Sequence, residues 1–279
     1  MARAPRRSLR TTANVVGIAA FLVAAFPVYW MVNSSFLDRN EIRSPTPTWV
    51  PFGGSLDNYR TVFEGDQFLD ALKMSLMVTI LTVAVALLFA FIAAVAVTRF
   101  RFRGRMSFVI TLLVIQMIPV EGLFISQYKM LEAIDLLNTV LGLTLVYVAL
   151  VLPFTVWTLR GFVAGVPYEL EEAAMMDGCS RTQAFFRVTF PLLAPGLVAT
   201  GVFGFIQAWN EFTLALVVMT KAESRTLPLW LTTFSDVNRG TDWGGVMAGS
   251  TLIAIPVVVF FLLVQGRMVA GLTAGGVKG

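Results

Sequence analysis

The feature that most constrains this chain is a recurrence of apolar runs about 20 residues long, separated by polar segments. A helix of roughly 20 apolar residues crosses a hydrocarbon core near 30 Å thick, and its backbone polar groups are satisfied within the segment. Only 14% of the residues are charged, against about 25% in a soluble domain. The runs predict six transmembrane helices, at residues 14–35, 72–98, 107–127, 139–160, 195–219 and 246–266.

The first run follows several arginines and so has one property of a secretory signal peptide. A signal peptide has a shorter apolar core, followed by small residues at a cleavage site. Here the apolar stretch continues through Pro27, Trp30 and Met31 without such a site. We therefore expect a retained transmembrane helix.

Lysine and arginine predict the orientation. Four arginines lie in the first ten residues and four more in the loop 99–106, whereas the segment 36–70 is rich in acids. The positive-inside rule places the first two regions in the cytoplasm. Six crossings then return the C-terminus, with Arg267 and Lys278, to the same side. The net charge of +4 thus reflects membrane topology and predicts no nucleic-acid partner.

The predicted fold class is an all-α polytopic membrane protein with six transmembrane helices and both termini cytoplasmic. It divides into a cytoplasmic tail (1–13), a first helix (14–35), an external loop (36–71), a transmembrane domain with the other five helices (72–266), and a cytoplasmic tail (267–279). A polar segment, residues 166–194, connects helices 4 and 5 on the cytoplasmic side. We call it the polar hairpin.

Residues for catalysis are not found in the sequence. There is no histidine, which is the commonest general base and metal ligand. There is only one cysteine, Cys179. No phosphate-binding loop is present, because Lys278 in the glycine-rich tail follows Val277 and not a glycine. We predict no catalytic residue, no metal site and no cofactor on this chain, and an intramembrane enzyme is disfavoured.

Two acids, Glu121 and Glu211, lie within predicted spans. A charge at the centre of a transmembrane helix costs about 2.5–3.5 kcal/mol, so such residues usually face a bundle interior or an aqueous cavity. With Gln116, Trp209 and Asn210 they are candidates for a substrate path. The alternative is a structural hydrogen bond to another helix, or a position nearer the interface.

The polar hairpin carries the signals of two short helices. Pro167 suits a first helical turn, and the acids that follow it favour a helix dipole. Gly178 fits the left-handed position that ends many helices. Ser180 and Gln183 form a capping box for a second helix, which we expect to end at Pro191. Helices this short are marginal in water, so the hairpin needs a partner surface, either its own bundle or another protein.

The segment EEAAMMDGCSRTQAFFRVTFPLLAPG resembles the EAA loop of bacterial ABC import permeases. That pattern is Glu-Ala-Ala, three residues, glycine, nine residues, an aliphatic residue, one residue and Leu-Pro. The matching residues are Glu172, Ala173, Ala174, Gly178, Val188 and Pro191. The chain departs from the pattern at Phe190, where leucine is usual, and at Cys179, where alanine is common.

Other segments, DNYRTVF, AWNEFTLALVV and VAGLTAGGVKG, are similar to the carbohydrate-uptake branch of these permeases. The resemblance implies a multi-pass subunit of a sugar importer in the bacterial cytoplasmic membrane. It implies a second permease, two ATPase subunits that bind ATP and magnesium, and an external sugar-binding protein as partners. It also assigns the ATPase-coupling role to the polar hairpin, through Glu171, Glu172, Ala173, Ala174, Asp177, Gly178, Ser180 and Pro191.

A second class of protein, a secondary transporter or channel, would use Glu121 and Glu211 as coupling groups within the membrane. That reading leaves the polar hairpin unexplained.

Overall fold

The computed structural model describes residues 7–64, 67–236 and 240–276. Within them the regular secondary structure is helical apart from one pair of short antiparallel strands. The helices of the first 115 residues are α1 (Arg7–Ser35), α2 (Arg39–Ile42), α3 (Asp57–Phe63), α4 (Gln67–Arg99) and α5 (Arg105–Ile115). Next come a 3-10 turn (Val120–Leu123), α6 (Phe124–Ala133), α7 (Val140–Gly165), α8 (Glu169–Met176) and α9 (Arg181–Ala184).

A π-helical turn (Phe185–Thr189) leads into α10 (Phe190–Trp209). The remaining helices are α11 (Thr213–Val218), a 3-10 turn (Ala222–Ser224), α12 (Leu227–Leu231), a 3-10 turn (Thr232–Phe234) and α13 (Trp243–Gly276). Strands β1 (Ser235–Asp236) and β2 (Gly240–Thr241) pair antiparallel, with Ser235 opposite Thr241 and Asp236 opposite Gly240. The predicted orientation depends in part on Arg3, Arg6 and Lys278. These three residues lie outside the described residues.

Five helices among the described residues are long and apolar enough to cross a membrane, at Thr12–Ser35, Gln67–Arg99, Val140–Gly165, Arg181–Trp209 and Trp243–Gly266. A bent pair, Arg105–Ile115 with Val120–Ala133, makes a sixth if it is counted as one span. The predicted class, with five to six apolar helices, is confirmed.

The prediction of a continuous third span over 107–127 is wrong. α5 ends at Ile115, and the next helical segment runs at 93° to it. Pro119 accounts for the break, because it has no N–H to donate, its ring clashes with the carbonyl four residues back, and it disfavours helical geometry at Ile118. The N–H groups of Met117 and Ile118 bond instead to carbonyls three residues back, at 3.0 and 3.2 Å.

Several helix ends differ from the sequence prediction, and two of these differences bear on the site. The fifth span does not continue to residue 219, because α10 ends at Trp209 and α11 begins separately at Thr213. The second helix of the polar hairpin does not end at Pro191. That proline lies in the first turn of α10, where a missing N–H costs little, and the π-helical turn joins α9 to α10 without a gap.

The chain forms two compact units. One comprises residues up to 64 with 231–255. Within it Asn58 holds the segment that follows α1, because its Nδ2 donates to the carbonyls of Ser35 and Leu37 at 3.0 and 2.9 Å. Gly244 passes close to the same side chain, since a Cβ there would lie 2.2 Å from Asn58 Oδ1.

The other unit comprises residues 67–230 and those from 256 onward. α4 packs here against α7 and α10. Ala86, Ala90 and Ala94 are buried at intervals of four, which places small residues on one helix face and lets the backbones approach closely. Leu159, Val163 and Leu193 fill the same core. This packing positions the ends of α4, α7 and α10 beside the polar hairpin.

Candidate functional site

The turn of the polar hairpin has the geometry that its sequence predicts. Gly178 has a φ of +91°, in the left-handed region, and ends α8. A Cβ on this glycine would meet no atom within 4 Å, so the backbone angle and not crowding requires glycine here. Ser180 Oγ accepts from the Gln183 N–H at 3.3 Å, and Gln183 Oε1 accepts from the Ser180 N–H at 2.9 Å. The predicted left-handed turn and capping box are confirmed.

The hairpin is fastened to the end of α4 by a buried ion pair. Arg99 Nη2 lies 3.3 Å from Glu171 Oε1, with the two side chains 9% and 5% exposed. The same nitrogen donates to the Val166 carbonyl at 3.0 Å, and Thr189 Oγ1 donates to Glu171 Oε1 at 2.8 Å. One carboxylate therefore joins α4, α8 and the π-helical turn.

Aromatic contacts reinforce this attachment. The Arg99 guanidinium lies 5.7 Å from the ring centre of Tyr168, and that of Arg181 lies 5.4 Å from the ring centre of Phe100. A cation over an aromatic face is attracted by the ring quadrupole. The loop after α4 and the polar hairpin thus lie at the same end of the helices, as the predicted topology requires. Which compartment they face stays a prediction.

The predicted coupling residues divide between two faces. Glu171 is buried and faces Arg99, so it cannot contact another protein in this conformation. Glu172, Ala173, Asp177, Gly178, Ser180 and Pro191 are exposed, and Ala174 is half-buried. Among their neighbours, Met176 is 88% exposed and Leu170 is 41% exposed. The outer face of α8 therefore combines acids with accessible apolar groups.

The five residues predicted for a substrate path are not brought together. Gln116 follows α5 at the break in the third span, and Glu121 is exposed in the 3-10 turn. Trp209 is buried against Phe205, with the rings stacked at 5.5 Å. Asn210 is exposed and donates to the carbonyl of Ile206 at 2.8 Å. That these residues contact a substrate stays a prediction.

The carboxylate of Glu211 has a structural use. Its Oε1 accepts from the Leu214 N–H at 2.7 Å and its Oε2 from the Ala215 N–H at 3.1 Å. These are orphan donors at the start of α11, which a carboxylate satisfies well. The Tyr147 hydroxyl donates to the Glu211 carbonyl at 3.2 Å. This arrangement fits the structural alternative for Glu211 and offers no support for an ion-coupling role.

The sequence pattern indicates no role in the hairpin for Arg99 or Thr189. Arg99 serves there only as one of the arginines that predict the orientation. A usable signal exists, since Arg99 is the last residue of a long apolar helix and the polar hairpin supplies several acids. Choosing Glu171 among those acids requires the packing of α8, because a single helical turn places Glu171 and Glu172 on different faces.

The structure defines a polytopic helical membrane protein with a folded polar hairpin attached between two spans, which is the architecture of a transport permease. The chain belongs to the family of binding-protein-dependent transport system inner membrane components, whose model matches residues 86–273. Members of this family are permease components of ABC transporters and not enzymes. The resemblance seen in the hairpin sequence is confirmed. Such permeases work with partner subunits.

Similar proteins of known name cover nearly the whole chain. The diacetylchitobiose uptake system permease protein DasC of Streptomyces coelicolor is 47% identical over 276 residues, covering 98% of this chain and 100% of that protein. The trehalose transport system permease protein SugB of Mycobacterium tuberculosis is 37% identical, covering 92% and 93%. The trehalose/maltose transport system permease protein MalG of Thermococcus litoralis is 36% identical, again covering 92% and 93%.

The fold is also that of solved structures. A chain from a bacterial ABC transporter involved in the import of the acidic polysaccharide alginate matches with a TM-score of 0.75 and 22% identity, covering 95% of this chain and 98% of that chain. A chain of the alginate transporter in complex with its pentasaccharide-bound periplasmic protein matches with a TM-score of 0.65 and 14% identity. At such identities the likeness establishes the fold alone.

Proposed function

We propose that this chain is one of two permease subunits of an ATP-driven importer for a disaccharide or short oligosaccharide. Two ATPase subunits on the cytoplasmic side drive it through the polar hairpin, and an external binding protein delivers the sugar. ATP and magnesium bind to the ATPase subunits and not to this chain.

The sugar class is supported by the relatives. Three of them carry names that specify diacetylchitobiose, trehalose, or trehalose and maltose. All three are covered over nine-tenths or more of their length, so the whole protein is compared. Because the three names describe different disaccharides, they support the class and not one particular sugar.

The coupling role is supported by the outer face of α8. This helix has eight residues, which is too short to be stable alone in water. Its exposed side includes Met176 and Leu170 beside Glu169, Glu172 and Asp177. Such an apolar and acidic surface is complementary to a groove on a partner protein that offers apolar contacts and basic groups.

The inner face of α8 transmits the movement of this helix to α4 and α10. Glu171 bonds to Arg99, the last residue of α4, and to Thr189 just before α10. Breaking a buried ion pair leaves an uncompensated charge and costs about 3–5 kcal/mol. A force applied to α8 is therefore passed to two spans and not absorbed by a slack loop. This buried pair is the single observation that carries the proposal.

The mechanism follows from this connection. ATP binding closes the two ATPase subunits, and the docked hairpin moves with them as a rigid lever. α4 and α10 are re-aimed, and the pore switches between inward-facing and outward-facing states. The two-state element lies in another subunit, and this chain converts its movement into alternating access.

A two-stage experiment tests the function. The tagged chain is recovered in mild detergent and its companions are identified, with an ATPase, a second permease and a binding protein expected. The assembly is then placed in liposomes with the binding protein and assayed for ATP-dependent uptake of radiolabelled diacetylchitobiose, trehalose and maltose. Recovery without an ATPase, or uptake driven by an ion gradient without ATP, would refute the proposal.

A further inference from the structure

A cavity of about 440 Å³ lies where the first turns of α5 pack against the C-terminal half of α7. A volume of roughly 300–1,000 Å³ is usual for a small-molecule site. Arg105 of α5 and Arg160 of α7 both line it. The other lining residues are Phe102, Gly104, Met106 and Val109, so none of its lining residues is an acid. We call this cavity the arginine pocket.

The two positive charges of the arginine pocket are not neutralised by the described part of the chain. Neither Arg105 nor Arg160 donates a side-chain hydrogen bond to a described residue or forms an ion pair with one. Arg160 lies over the ring of Trp157, 5.2 Å from its centre, a contact that holds the guanidinium without adding a negative charge. Arg99 differs from both, because Glu171 is its partner.

The surrounding charges make this end of α5 more positive still. Arg101 and Arg103 precede the helix, are exposed, and have no ion-pair partner among the described residues. The acids between the two pocket arginines all lie beyond the far end of α5 and before α7 begins. The 11 residues of α5 span about 16 Å, longer than the ~8–10 Å over which exposed charges interact in physiological salt. An anion is therefore the ligand that the pocket favours.

The rest of the lining indicates which anion fits. A guanidinium presents paired N–H donors that match the oxygens of a phosphate. Phe102 and Met106, which are 46% and 68% exposed, offer apolar contact beside the arginines, as an alkyl chain requires and a free ion does not. Both arginines also lie in helical segments that are long and apolar enough to cross a membrane. Basic pockets between such helices bind phospholipid headgroups.

We propose that the arginine pocket binds a phosphate group through Arg105 and Arg160, and that this phosphate belongs to an anionic phospholipid. An anionic headgroup is favoured over a zwitterionic one, because it brings no cation of its own to the two arginines. The bound phosphate bridges α5 and α7, at the end of the helices where the polar hairpin is attached. This site is separate from the hairpin and from the predicted path residues, so it goes beyond the proposed function.

The test uses the full chain, purified in detergent with its companion subunits and stripped of lipid. Phosphatidylglycerol, phosphatidylcholine and inorganic phosphate are titrated separately, and bound lipid is counted by native mass spectrometry while bound phosphate is measured calorimetrically. We expect phosphatidylglycerol to bind more tightly than phosphatidylcholine. Loss of the charged hydrogen bonds in the double variant Arg105→Gln with Arg160→Gln should weaken phosphatidylglycerol binding about tenfold or more.

The matched control is Arg101→Gln with Arg103→Gln, which removes the same charge from residues that do not line the pocket. It should bind phosphatidylglycerol within about twofold of wild type, and Arg105→Lys with Arg160→Lys should lie between the two glutamine pairs.

Inorganic phosphate that binds as tightly as the lipid, and is lost in the pocket variant, would confirm the phosphate site and assign a soluble source to it. Equal weakening in the pocket and loop variants would overturn the proposal, because the charge would then act only at long range. Loss of a companion subunit from the pocket variants would overturn it too, since the arginines would then contact that subunit. A wild-type assembly that binds the lipid but transports no sugar would refute the proposed function and leave this site in place.

Discussion

The polar hairpin and the broken third span differ in how their shape is encoded. The hairpin is specified locally, because Gly178, Ser180 and Gln183 fix its turn through their own backbone and side-chain bonds. The break is specified by Pro119 in a run that is mostly apolar, and mean hydropathy alone predicts that this run is continuous. In a membrane protein, polar segments outside the bilayer keep the capping signals of soluble proteins. Irregular backbone within the bilayer must instead be inferred from the space that this backbone lines.

The two regions also differ in electrostatics. A buried ion pair, bonded to two further polar groups, attaches the hairpin to α4, whereas the cavity of about 390 Å³ beside the broken span is lined by glutamines and apolar residues without a charged side chain. A fixed charge pair favours one arrangement and suits an element that transmits movement.

The largest effect is expected from Gly178→Val. A β-branched residue in the left-handed region costs about 1–2 kcal/mol or more, so the turn will rearrange and tilt α8 from its groove. Uptake and the stimulation of ATP hydrolysis by the loaded binding protein should both be lost, while membrane levels stay near normal.

Two controls sharpen this test. Gly178→Asn should retain most activity, because asparagine tolerates a positive φ. Gly53→Val places the same β-branched residue at a similar positive φ, since Gly53 has a φ of +78° and open space at its Cβ position. Gly53 lies outside the polar hairpin. Wild-type coupling in Gly178→Val would mean that the hairpin is only a packed cap.

An intermediate effect is expected from the buried pair. Arg99→Met leaves the Glu171 carboxylate buried without its partner, which should cost about 3–5 kcal/mol. The double variant Arg99→Met with Glu171→Leu removes both charges and should recover most of the stability. Melting of the purified assembly and uptake are measured for each. A single variant that melts like wild type would show that the pair does not anchor the hairpin.

The smallest effect is expected from Glu211→Gln. The substitution keeps one acceptor for the α11 N-terminus and removes the charge, so the loss should be about 1 kcal/mol. We expect a slight fall in melting temperature and uptake within about twofold of wild type. A large loss of uptake with normal recovery of the complex would instead support the substrate-path role predicted from the sequence.

The sequence predicts the membrane class, most span positions and the hairpin turn, because these depend on residues close together in the chain. It does not predict that Glu171 pairs with Arg99, which are 72 residues apart, or that Gln127 and Gln207 share a cavity. The ion pair depends on how α8 packs against α4, and the shared cavity depends on how α6 packs beside α7 and α10. For the shared cavity the sequence offers only a compositional clue: glutamines in apolar spans are costly unless they have hydrogen-bonding partners.

The central claim is that the outer face of α8 docks on the ATPase. Cross-linking from Met176, which is 88% exposed, tests it most directly. A Cys179→Ala chain carrying Met176→Cys is purified with its companions and treated with a short thiol-directed photo-cross-linker. Met130→Cys is the control, because Met130 is 69% exposed on α6, near the end of the helices opposite the hairpin. We predict a covalent product with the ATPase from position 176 and none from position 130. No ATPase product from position 176, in an assembly that retains the ATPase, would contradict the account.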